Sequence, residues 1–468
     1  MKSRFYTFLV LLISFSMGMV ACNEDDTPTP DTDLTLEEEI NSWIFDVMDE
    51  VYFWTAEIPD NVNKKQDPSD YFRELLFNGD RFSGIVPDYQ DLINSLNGIT
   101  LEAGYEFYLI QETGTDNIVG LIKYVKTGSP ADEAGLQRGD LITAVNGQSA
   151  TTSNYQTVFG QVSSDHTLSY ARYNKSSDTY VAQNDVDLDA VQFAENPILL
   201  DTVLNVSSKK IGYLVYNFFS AGTNNTYDNE LNATFTDFKS DGINDLVIDL
   251  RYNSGGSINS ATVLASNVAP DVTTTDIFYK NQWNELYTDF WQNEPNGEER
   301  LFGYFKNLTS SVGSSIGGNV YILTGSNTAS ASELVINGLI PYMNVTIIGE
   351  TTVGKNVGSI PFEDTDNEDN NYGILPIVIK LANSEDFSDY GQGFTPLAEN
   401  KIRELDFRLI QLGDVNEPLL ARAIELIAGT STGGRKAARV KNEVTSLGSS
   451  IDKHLRSNRA VLSPLKRK

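Results

Sequence analysis

The chain has 468 residues, of which 40% are hydrophobic and 21% are charged. This length suggests about three domains, and the composition excludes a disordered, collagen-like or multi-span membrane protein. The 64 acidic residues outnumber the 34 basic ones and leave a formal net charge of -30 at pH 7. So acidic a protein is not expected to bind nucleic acid or an anionic lipid surface.

Cysteine and histidine are scarce in this sequence. Cys22 is the single cysteine, which excludes an intrachain disulfide and a thiolate zinc cluster. His166 and His454 are the two histidines, so a Ser-His-Asp triad or a His-rich metal site would depend on these two side chains. If the protein is an enzyme, its general base is therefore expected to be a residue other than histidine.

The first 22 residues have the pattern of a cleaved export signal. Lys2 and Arg4 precede an apolar run over residues 8–20, which is too short to span a bilayer comfortably. The run ends at Met19-Val20-Ala21-Cys22, which resembles a bacterial lipobox. The resemblance implies cleavage before Cys22, lipidation of its thiol and an extracytoplasmic protein anchored by acyl chains to the bacterial outer membrane, on its periplasmic or outer surface. A plain secretory signal is the alternative.

Residues 23–33 are acidic and proline-containing, which predicts an extended tether. An acidic run directly after a lipidated cysteine resembles the surface-export signal of Bacteroidetes lipoproteins. A linker in so acidic a protein would also be acidic, so the sequence leaves the membrane leaflet open.

Residues 34–100 are predicted to form an N-terminal helical module. Apolar residues from Leu36 to Val51 recur at steps of three and four, which gives one apolar stripe along a helix. A second helix is predicted to start with Ser69 as its N-cap and to continue through Leu76. Nothing in this module suggests a catalytic role.

Residues 101–190 change to short strands and tight turns. Gly135 is placed to end a short helix with positive φ, and Asn146-Gly147 predicts a tight turn. The string GSPADEAGLQRGDLITAVNG at 128–147 is similar to PDZ domains of the bacterial protease type. The resemblance implies capture of an extended peptide on a strand edge, with the carboxylate loop at Gly104-Tyr105-Glu106-Phe107. The charge of Glu106 opposes a carboxylate ligand, and His166 is expected to be an ordinary surface residue.

Residues 200–430 alternate strands with helices and predict a layered α/β domain. Apolar runs of the buried-strand type occur at 211–215, 246–250, 320–323 and 345–348, with helices expected at about 226–240, 257–267 and 331–341. The segment 431–468 differs from the rest, since it carries ten basic and two acidic residues. We expect it to be a mobile appendage or a weak helix, free to fold back on the acidic body, and we assign it no function.

Three segments of the α/β domain carry residues suited to chemistry. The first, at 249–256, ends a strand with Gly255-Gly256, whose backbone N–H groups are accessible to an oxyanion. The second contains Ser330 and Glu333 at the start of a helix, and the third has a Gly-Lys turn at Lys355. Each has a structural alternative, because Ser330 and Glu333 also fit a capping box and a turn lysine commonly faces solvent.

Together, these segments resemble the carboxy-terminal processing proteases, the tail-specific serine peptidases of the S41 type. The S-A-S-E and G-K elements match, with Ser330 and Lys355 at the family's separation of 25, and residues 391–396 match the family's closing G-x-G-x-x-P element. The resemblance covers residues 34–430. It implies a multidomain α+β and α/β fold with a helical module, a PDZ-like domain and a crotonase/ClpP-like α/β protease core.

The resemblance implies a Ser-Lys dyad that cleaves unfolded or C-terminal protein segments, without a metal or an organic cofactor. Ser330 would be the nucleophile, with Ser332 as a rival, and Lys355 the general base. The Ala331 N–H and an N–H of Gly255 or Gly256 would form the oxyanion hole.

The pKa of Lys355 would have to fall from about 10.4 to roughly 7–8, which burial beside an apolar wall can cause. Val353 and Val357 are the expected wall. Ser359 stands where many family members have a glutamine that orients the lysine.

Two rival functions remain open at this point. One is a non-catalytic peptide- or ligand-binding lipoprotein on the same fold, as in the retinoid-binding relatives of the family. The other is an adaptor whose PDZ domain presents substrates to another protease. The sequence leaves the physiological substrate and the oligomeric state open.

Overall fold

A computed structural model describes residues 34–406, 408–429, 444–455, 457 and 459–462. The predicted signal, the tether and the lipidation site Cys22 lie outside these residues. Within the described ranges, no helix combines the length and the apolar character that a membrane span requires.

The N-terminal module is helical, as predicted, and its first two helices have well-formed caps. Thr35 and Glu38 form a capping box at the start of the first helix. The second helix begins at Pro68 with Asp67 as its N-cap, so the prediction of Ser69 as N-cap was wrong. Proline fits the first helical position because that residue's N–H has no acceptor within the helix. The elements are α1 (Leu36–Val51), α2 (Pro68–Leu75), β1 (Gly84–Val86) and α3 (Tyr89–Leu96).

The PDZ-like domain is built on a sheet in the order β23-β3-β4-β5-β7-β8, with β6 and β9 paired to β4 and β7. Gly135 has φ +75°, and the turn residues Asn146 and Gly147 also have positive φ, as predicted. His166 is buried rather than exposed, and burial lowers the pKa of its imidazole. The elements are β2 (Ile99–Glu102), β3 (Tyr105–Gln111), β4 (Asn117–Val125), α4 (Pro130–Glu133), β5 (Leu141–Val145), β6 (Ala150–Thr151), α5 (Tyr155–Gly160), β7 (His166–Asn174), β8 (Thr179–Ala182), β9 (Val186–Leu188) and β10 (Val191–Ala194).

The α/β core contains two sheets with helices packed between them. The first sheet has the order β11-β12-β13-β17-β18, in which all pairs except β11–β12 are parallel. Alternate residues of its strands face opposite sides of the sheet. Leu214 and Tyr216 belong to the large apolar cluster between the two sheets, whereas Tyr213 and Val215 pack with α11 (Pro418–Ala428) on the other side. The second sheet has the order β14-β24-β19-β22-β15-β16.

The predicted strands and helices of this domain are confirmed within a few residues at each end. A small sheet in the order β1-β21-β20 joins the N-terminal module to the core. The elements are β11 (Ile198–Val206), β12 (Lys209–Tyr216), α6 (Thr226–Asp241), β13 (Asp245–Asp249), β14 (Gly255–Ser257), α7 (Ile258–Val268), β15 (Ile277–Trp283), α8 (Glu285–Asn293), α9 (Glu298–Leu301), β16 (Phe302–Tyr304), β17 (Asn319–Thr324), α10 (Ala331–Leu339), β18 (Asn344–Gly349), β19 (Val357–Ser359), β20 (Phe362–Glu363), β21 (Gly373–Leu375), β22 (Ile377–Ala382) and α11 (Pro418–Ala428).

The described part of the basic tail forms two short strands and a 3₁₀ turn rather than an α-helix. It contributes β23 (Thr445–Ser449) to the PDZ-like sheet and β24 (Arg459–Val461) to the second core sheet. The two strands pair through backbone hydrogen bonds, which composition does not predict, and Ile451 and Leu462 of the tail are buried.

Candidate active site

Ser330 occupies a strained position at the N-cap of α10. Its φ and ψ are 63° and -112°, a combination that costs a non-glycine residue about 1–3 kcal/mol and that clusters at functional sites. The side chain is fully buried, and Oγ has no hydrogen-bond partner among the described residues. The capping-box pairing of Ser330 with Glu333 is present, with the Ser330 N–H donating to the Glu333 carboxylate at 2.7 Å, but Ser330 Oγ itself makes no hydrogen bond within the described chain.

Ser332, the rival nucleophile, is engaged in packing the loop before β14. Its Oγ donates to the backbone oxygen of Asn253 at 3.0 Å, and the same oxygen accepts the Ala329 N–H at 3.1 Å. These two bonds attach the Asn253 loop to both sides of Ser330. The hydroxyl of Ser332 thus holds the site together, which favours Ser330 as the reactive group.

Glu333 links Ser330 to Lys355. Its Oε2 accepts the backbone N–H of Ser330 at 2.7 Å and that of Lys355 at 2.8 Å, so both backbone nitrogens lie on one carboxylate oxygen. Oε1 accepts the Gly354 N–H and the Thr352 hydroxyl. Burial raises the pKa of Glu333, and these four donors act in the opposite direction. The capping-box motif indicated the bond to Ser330 but not the bond to the Gly-Lys turn.

Lys355 is fully buried beside an aromatic ring. Its Nζ lies 5.2 Å from the ring centroid of Phe82, which belongs to the N-terminal module. Of the two predicted wall residues, Val357 is buried and Val353 is half-buried. Arg81 also donates to the backbone oxygen of Val353 at 3.2 Å, so the module covers the Gly-Lys turn. Nothing in the sequence pattern around Phe82 indicated this contact.

Ser359 does not replace the orienting glutamine by a direct bond. It is fully buried two residues after Val357, and its Oγ has no hydrogen-bond partner within the described chain. Ser330 and Ser359 therefore both place an unpartnered hydroxyl in the interior of the site. Buried hydroxyls are normally bonded, so such a pair indicates a place that water or a ligand group completes.

Gly256 fits where a larger residue would not. Its φ is +132°, and a Cβ at this position would lie 2.1 Å from the backbone oxygen of Phe219. The N–H of Gly255 already donates to Asn253 Oδ1 at 2.9 Å, so it is engaged in the loop. Ala331 is the first residue of α10, and its N–H therefore has no acceptor within the helix. Ala331 and Gly256 remain the predicted oxyanion donors.

Three segments of the chain match known protein families. Residues 210–382 match the Peptidase family S41 pattern, residues 39–84 match the Peptidase S41 N-terminal domain and residues 121–165 match a PDZ domain. The crystal structure of an S41 protein from Bacteroides fragilis NCTC 9343 is 30% identical in sequence, with a TM-score of 0.69 over 83% of this chain and 97% of that chain. The chain belongs to peptidase family S41.

Curated relatives of this S41 chain are more distant. A carboxyl-terminal-processing protease of Synechocystis sp. is 24% identical over 58% of this chain and 56% of that protein. A CtpA-like serine protease of Staphylococcus aureus strain COL is 25% identical over 49% of this chain and 40% of the relative. The chain thus spans about half the length of the curated relatives it matches. Phe82 lies within the matched N-terminal domain.

In the PDZ domain of this S41 chain, the predicted carboxylate-binding loop is hydrogen-bonded and ion-paired to other residues of the same chain. Gly104 has φ +87°, and its backbone oxygen accepts from Lys126 N and Ser129 Oγ. Glu106 is buried, pairs with Lys126 at 2.9 Å and contacts His454 Nε2 at 2.6 Å. Tyr105 and Phe107 are buried in β3. Peptide binding by this loop remains a prediction.

Glu102, Glu106 and His454 also form the one described group of side chains with the spacing of metal ligands. The ammonium of Lys126 lies 2.7 Å from Glu102 and 2.9 Å from Glu106. A lysine ammonium within this group favours an internally paired cluster over a metal site.

A buried ionic network joins the PDZ domain to the core. Glu404 accepts from Arg138 of the PDZ domain at 2.5 Å and from Arg251, which follows β13, at 2.8 Å. Arg251 also pairs with Asp249 and Glu417. The two guanidinium groups hold the pKa of Glu404 well below its usual range, against the effect of burial. No local sequence pattern indicates this network, because Arg138, Arg251 and Glu404 are far apart in the chain.

Proposed function

We propose that this S41 family member is a serine endopeptidase with a Ser330–Lys355 dyad that cleaves unfolded or C-terminal protein segments. One observation carries the proposal: the strained, buried Ser330, whose Oγ is unpartnered, is tied through Glu333 to the buried Lys355. The relatives described as carboxyl-terminal-processing and serine proteases support the same reaction class.

In the proposed mechanism, neutral Lys355 removes the proton of Ser330 as Oγ attacks the carbonyl carbon of the scissile bond. The negative charge that develops on the carbonyl oxygen is bound by the N–H groups of Ala331 and Gly256 and by the N-terminal dipole of α10. Collapse of the intermediate breaks the C–N bond, and the Lys355 ammonium protonates the leaving amine. Water, deprotonated by Lys355, then hydrolyses the acyl-serine.

The proposed location follows from the lipobox-like sequence before Cys22. In this proposal, the thiol of Cys22 carries acyl chains, and the acidic tether holds the peptidase outside the cytoplasm at the membrane surface. Radiolabelled palmitate incorporation that disappears in Cys22→Ser tests the anchor separately from the peptidase activity.

The test is hydrolysis of a fluorescently labelled unfolded casein by the chain from residue 23 onward, between pH 6 and 10. Ser330→Ala and Lys355→Ala are each expected to reduce kcat by about a hundredfold or more, and the wild-type rate is expected to rise with pH as the base loses its proton. Ser332→Ala tests the rival nucleophile: it is expected to lose thermal stability and part of the activity but to stay well above Ser330→Ala, because the Ala329 N–H still donates to the Asn253 oxygen.

Equal residual hydrolysis in wild type and both dyad variants would contradict the proposal and indicate another source of activity. A folded wild-type chain that binds the casein without cleaving it would favour the non-catalytic binding protein, for which the missing bond between Ser359 and Lys355 is the structural argument.

A further inference from the structure

The basic tail fills a gap between two strands of the candidate active site. In the second core sheet, β14 and β19 are neighbours only through β24, since the order is β14-β24-β19. β14 contains Gly256, and β19 follows the Lys355 turn. The tail strand pairs in parallel with both, and the Leu462 N–H donates to Ser359 O at 3.0 Å. The gap therefore has the width of one extended polypeptide.

A second tail strand covers the edge of the PDZ domain where peptide capture is predicted. β23 pairs antiparallel with β3, directly after the Gly104 loop. Ser450 Oγ accepts the Phe107 N–H at 2.9 Å and donates to Glu106 Oε2. The acidic side chain that opposes a carboxylate ligand thus binds a hydroxyl and the imidazole of His454.

The stretch between these two strands is anchored beside the catalytic loop. Ile451 is buried among Tyr108, Leu121, Tyr124, Tyr252 and Leu405, which come from both the PDZ domain and the core. Asp452 accepts from Asn327 Nδ2 at 2.8 Å, three residues before Ser330 in the sequence. Lys123 of β4 donates to both Ser449 Oγ and Asn327 Oδ1 at 2.9 Å. The described parts of the tail are thus bound at the PDZ edge, beside the catalytic loop and between β14 and β19.

The charge of the tail and a cavity beside β24 both favour the tail as the segment that binds between β14 and β19. Residues 431–468 have ten basic and two acidic side chains, whereas the whole chain has a net charge of -30, so the remaining residues are strongly acidic. Beyond β24, a cavity of about 480 Å³ is lined by Ser257, Pro361, Val461 and Leu462, together with Asn225 and Asp228. Leu462, the last described residue of the tail, is buried in the apolar core and also lines this cavity.

We propose that the PDZ edge and the gap between β14 and β19 form one track for an extended polypeptide, and that the described tail residues 444–455, 457 and 459–462 occupy this track in cis and keep substrates out. The inference rests on the proposed peptidase function for its catalytic consequence, but the occupation itself is independent of catalysis. Displacement of the tail is the step that opens the site.

The first test measures binding without cleavage. Ile451→Asp places a charge in the apolar anchor and is expected to release the tail, whereas Leu447→Asp makes the same change at an exposed position of β23. Both are made in the Ser330→Ala chain, and binding of fluorescently labelled unfolded casein is followed by anisotropy. Release of the tail is expected to tighten binding about tenfold in the Ile451→Asp chain and to leave the Leu447→Asp chain unchanged.

Hydrogen exchange shows whether the tail has been released. Amides of β23 and β24 are expected to be protected in the full chain and to lose that protection in Ile451→Asp, while α10 stays protected. Leu462→Pro removes the N–H that bonds Ser359 and serves as a second way to detach β24, should Ile451→Asp fail to fold. A released tail with unchanged casein affinity would overturn the proposal, as would tail amides that are unprotected in the unmodified chain.

The second test restores Ser330. If both proposals hold, Ile451→Asp cleaves casein faster than the unmodified chain by about the same factor as the gain in affinity. Tighter binding with no hydrolysis in any Ser330-containing chain would contradict the peptidase function alone. Hydrolysis at equal rates with and without a released tail would contradict the track alone.

Discussion

Glu333 shows how one side chain can fix a reactive pair. A carboxylate accepts hydrogen bonds with both oxygens, and here four donors from Ser330, Thr352, Gly354 and Lys355 converge on it. No neutral side chain of the same shape can accept all four, because the amide of glutamine carries an NH₂ group in place of one oxygen. We regard Glu333 as a positioning residue, since it holds backbone atoms of the pair rather than the reacting atoms.

Glu333→Gln is expected to lower kcat for casein hydrolysis by about a hundredfold with a small change in KM, because misplacement of catalytic groups affects the transition state more than binding. Glu333→Asp keeps the acceptor oxygens on a shorter arm and is expected to recover part of the loss. Steady-state kinetics of both variants is the measurement. If Glu333→Gln and Glu333→Asp lowered kcat by the same factor and lowered the free energy of unfolding by the same amount, Glu333 would have a purely structural role.

Lys123 is a buried lysine whose charge depends on pH near neutrality. Burial lowers its pKa to about 8, although Glu106 and Glu404 oppose the shift. In the unfolded chain its pKa is about 10.4, so between pH 8 and 10.4 the unfolded state binds more protons than the folded state. The cost of burying the charge is fully present below pH 8, and the contribution of Lys123 to the free energy of unfolding rises with pH across this window.

Lys123→Met removes the titrating group while keeping a long apolar stem. The difference in unfolding free energy between wild type and Lys123→Met is expected to change by a few kcal/mol between pH 8 and 10.4, in the direction that favours wild type at high pH. Urea unfolding of both chains at several pH values measures this difference. A constant difference over the window would contradict the lowered pKa.

At the scale of elements, β14 depends on a close backbone approach. The Cβ of an alanine at Gly256 would meet the Phe219 backbone oxygen at 2.1 Å, whereas Gly242, which ends α6 with φ +68°, has open space around it. Both positions have positive φ, so alanine costs backbone strain of about 1 kcal/mol at each. Only Gly256→Ala must also move the backbone at Phe219, which lies in the segment after β12, and displace a predicted oxyanion donor.

Gly256→Ala is therefore expected to lose at least about tenfold in kcat and to unfold at lower temperature than Gly242→Ala, which should keep wild-type kcat. Thermal unfolding and casein hydrolysis of Gly256→Ala and Gly242→Ala separate the steric clash at Gly256 from the backbone strain that both variants share. Wild-type kcat in a folded Gly256→Ala chain would remove this residue from the proposed oxyanion hole.

The elements show what the sequence could predict and why. The strands around 211–215 and 246–250 are buried on both faces, so their apolar runs identified them, and the turn at Asn146-Gly147 has a local chemical cause. β23 and β24 could not be found in this way, because β23 pairs at the edge of its sheet and β24 has only three residues, so neither carries an alternating apolar pattern. Ser69 was a plausible cap, but Asp67 before Pro68 is the better one, since the helix starts at the proline.

The candidate site could also be predicted only in part from the sequence. Ser330, Lys355 and Gly256 are marked by motifs at fixed spacing, so the sequence could identify them as candidates. Phe82 over Lys355 depends on how the N-terminal module docks, which no local pattern records. The same holds for the pairing of Glu106 with His454, two residues that are distant in the chain.

At the scale of the molecule, the PDZ domain and the core are joined by charge rather than by a purely apolar interface. Arg138, Glu404 and Arg251 are all buried, and both arginines donate to the Glu404 carboxylate. The hydroxyls of Tyr108 and Tyr252 donate to the same carboxylate. Paired charges in a buried interface are stable only as a complete set. A change in one domain can therefore affect the position of the other through this network.

Glu404→Gln is expected to destabilise the chain by about 3–5 kcal/mol, because it leaves two buried guanidinium groups without their shared carboxylate. Glu399→Gln is the matched control, since Glu399 is exposed and close in the sequence. The lowered pKa of Glu404 gives the pH dependence: its contribution is present above the unfolded-state pKa of about 4.3 and is lost as the pH falls below that value. Urea unfolding between pH 7 and 3 should therefore show the difference between Glu404→Gln and Glu399→Gln shrinking toward acid. A difference that stays constant to pH 3 would mean that packing, not the ion pair, joins the two domains.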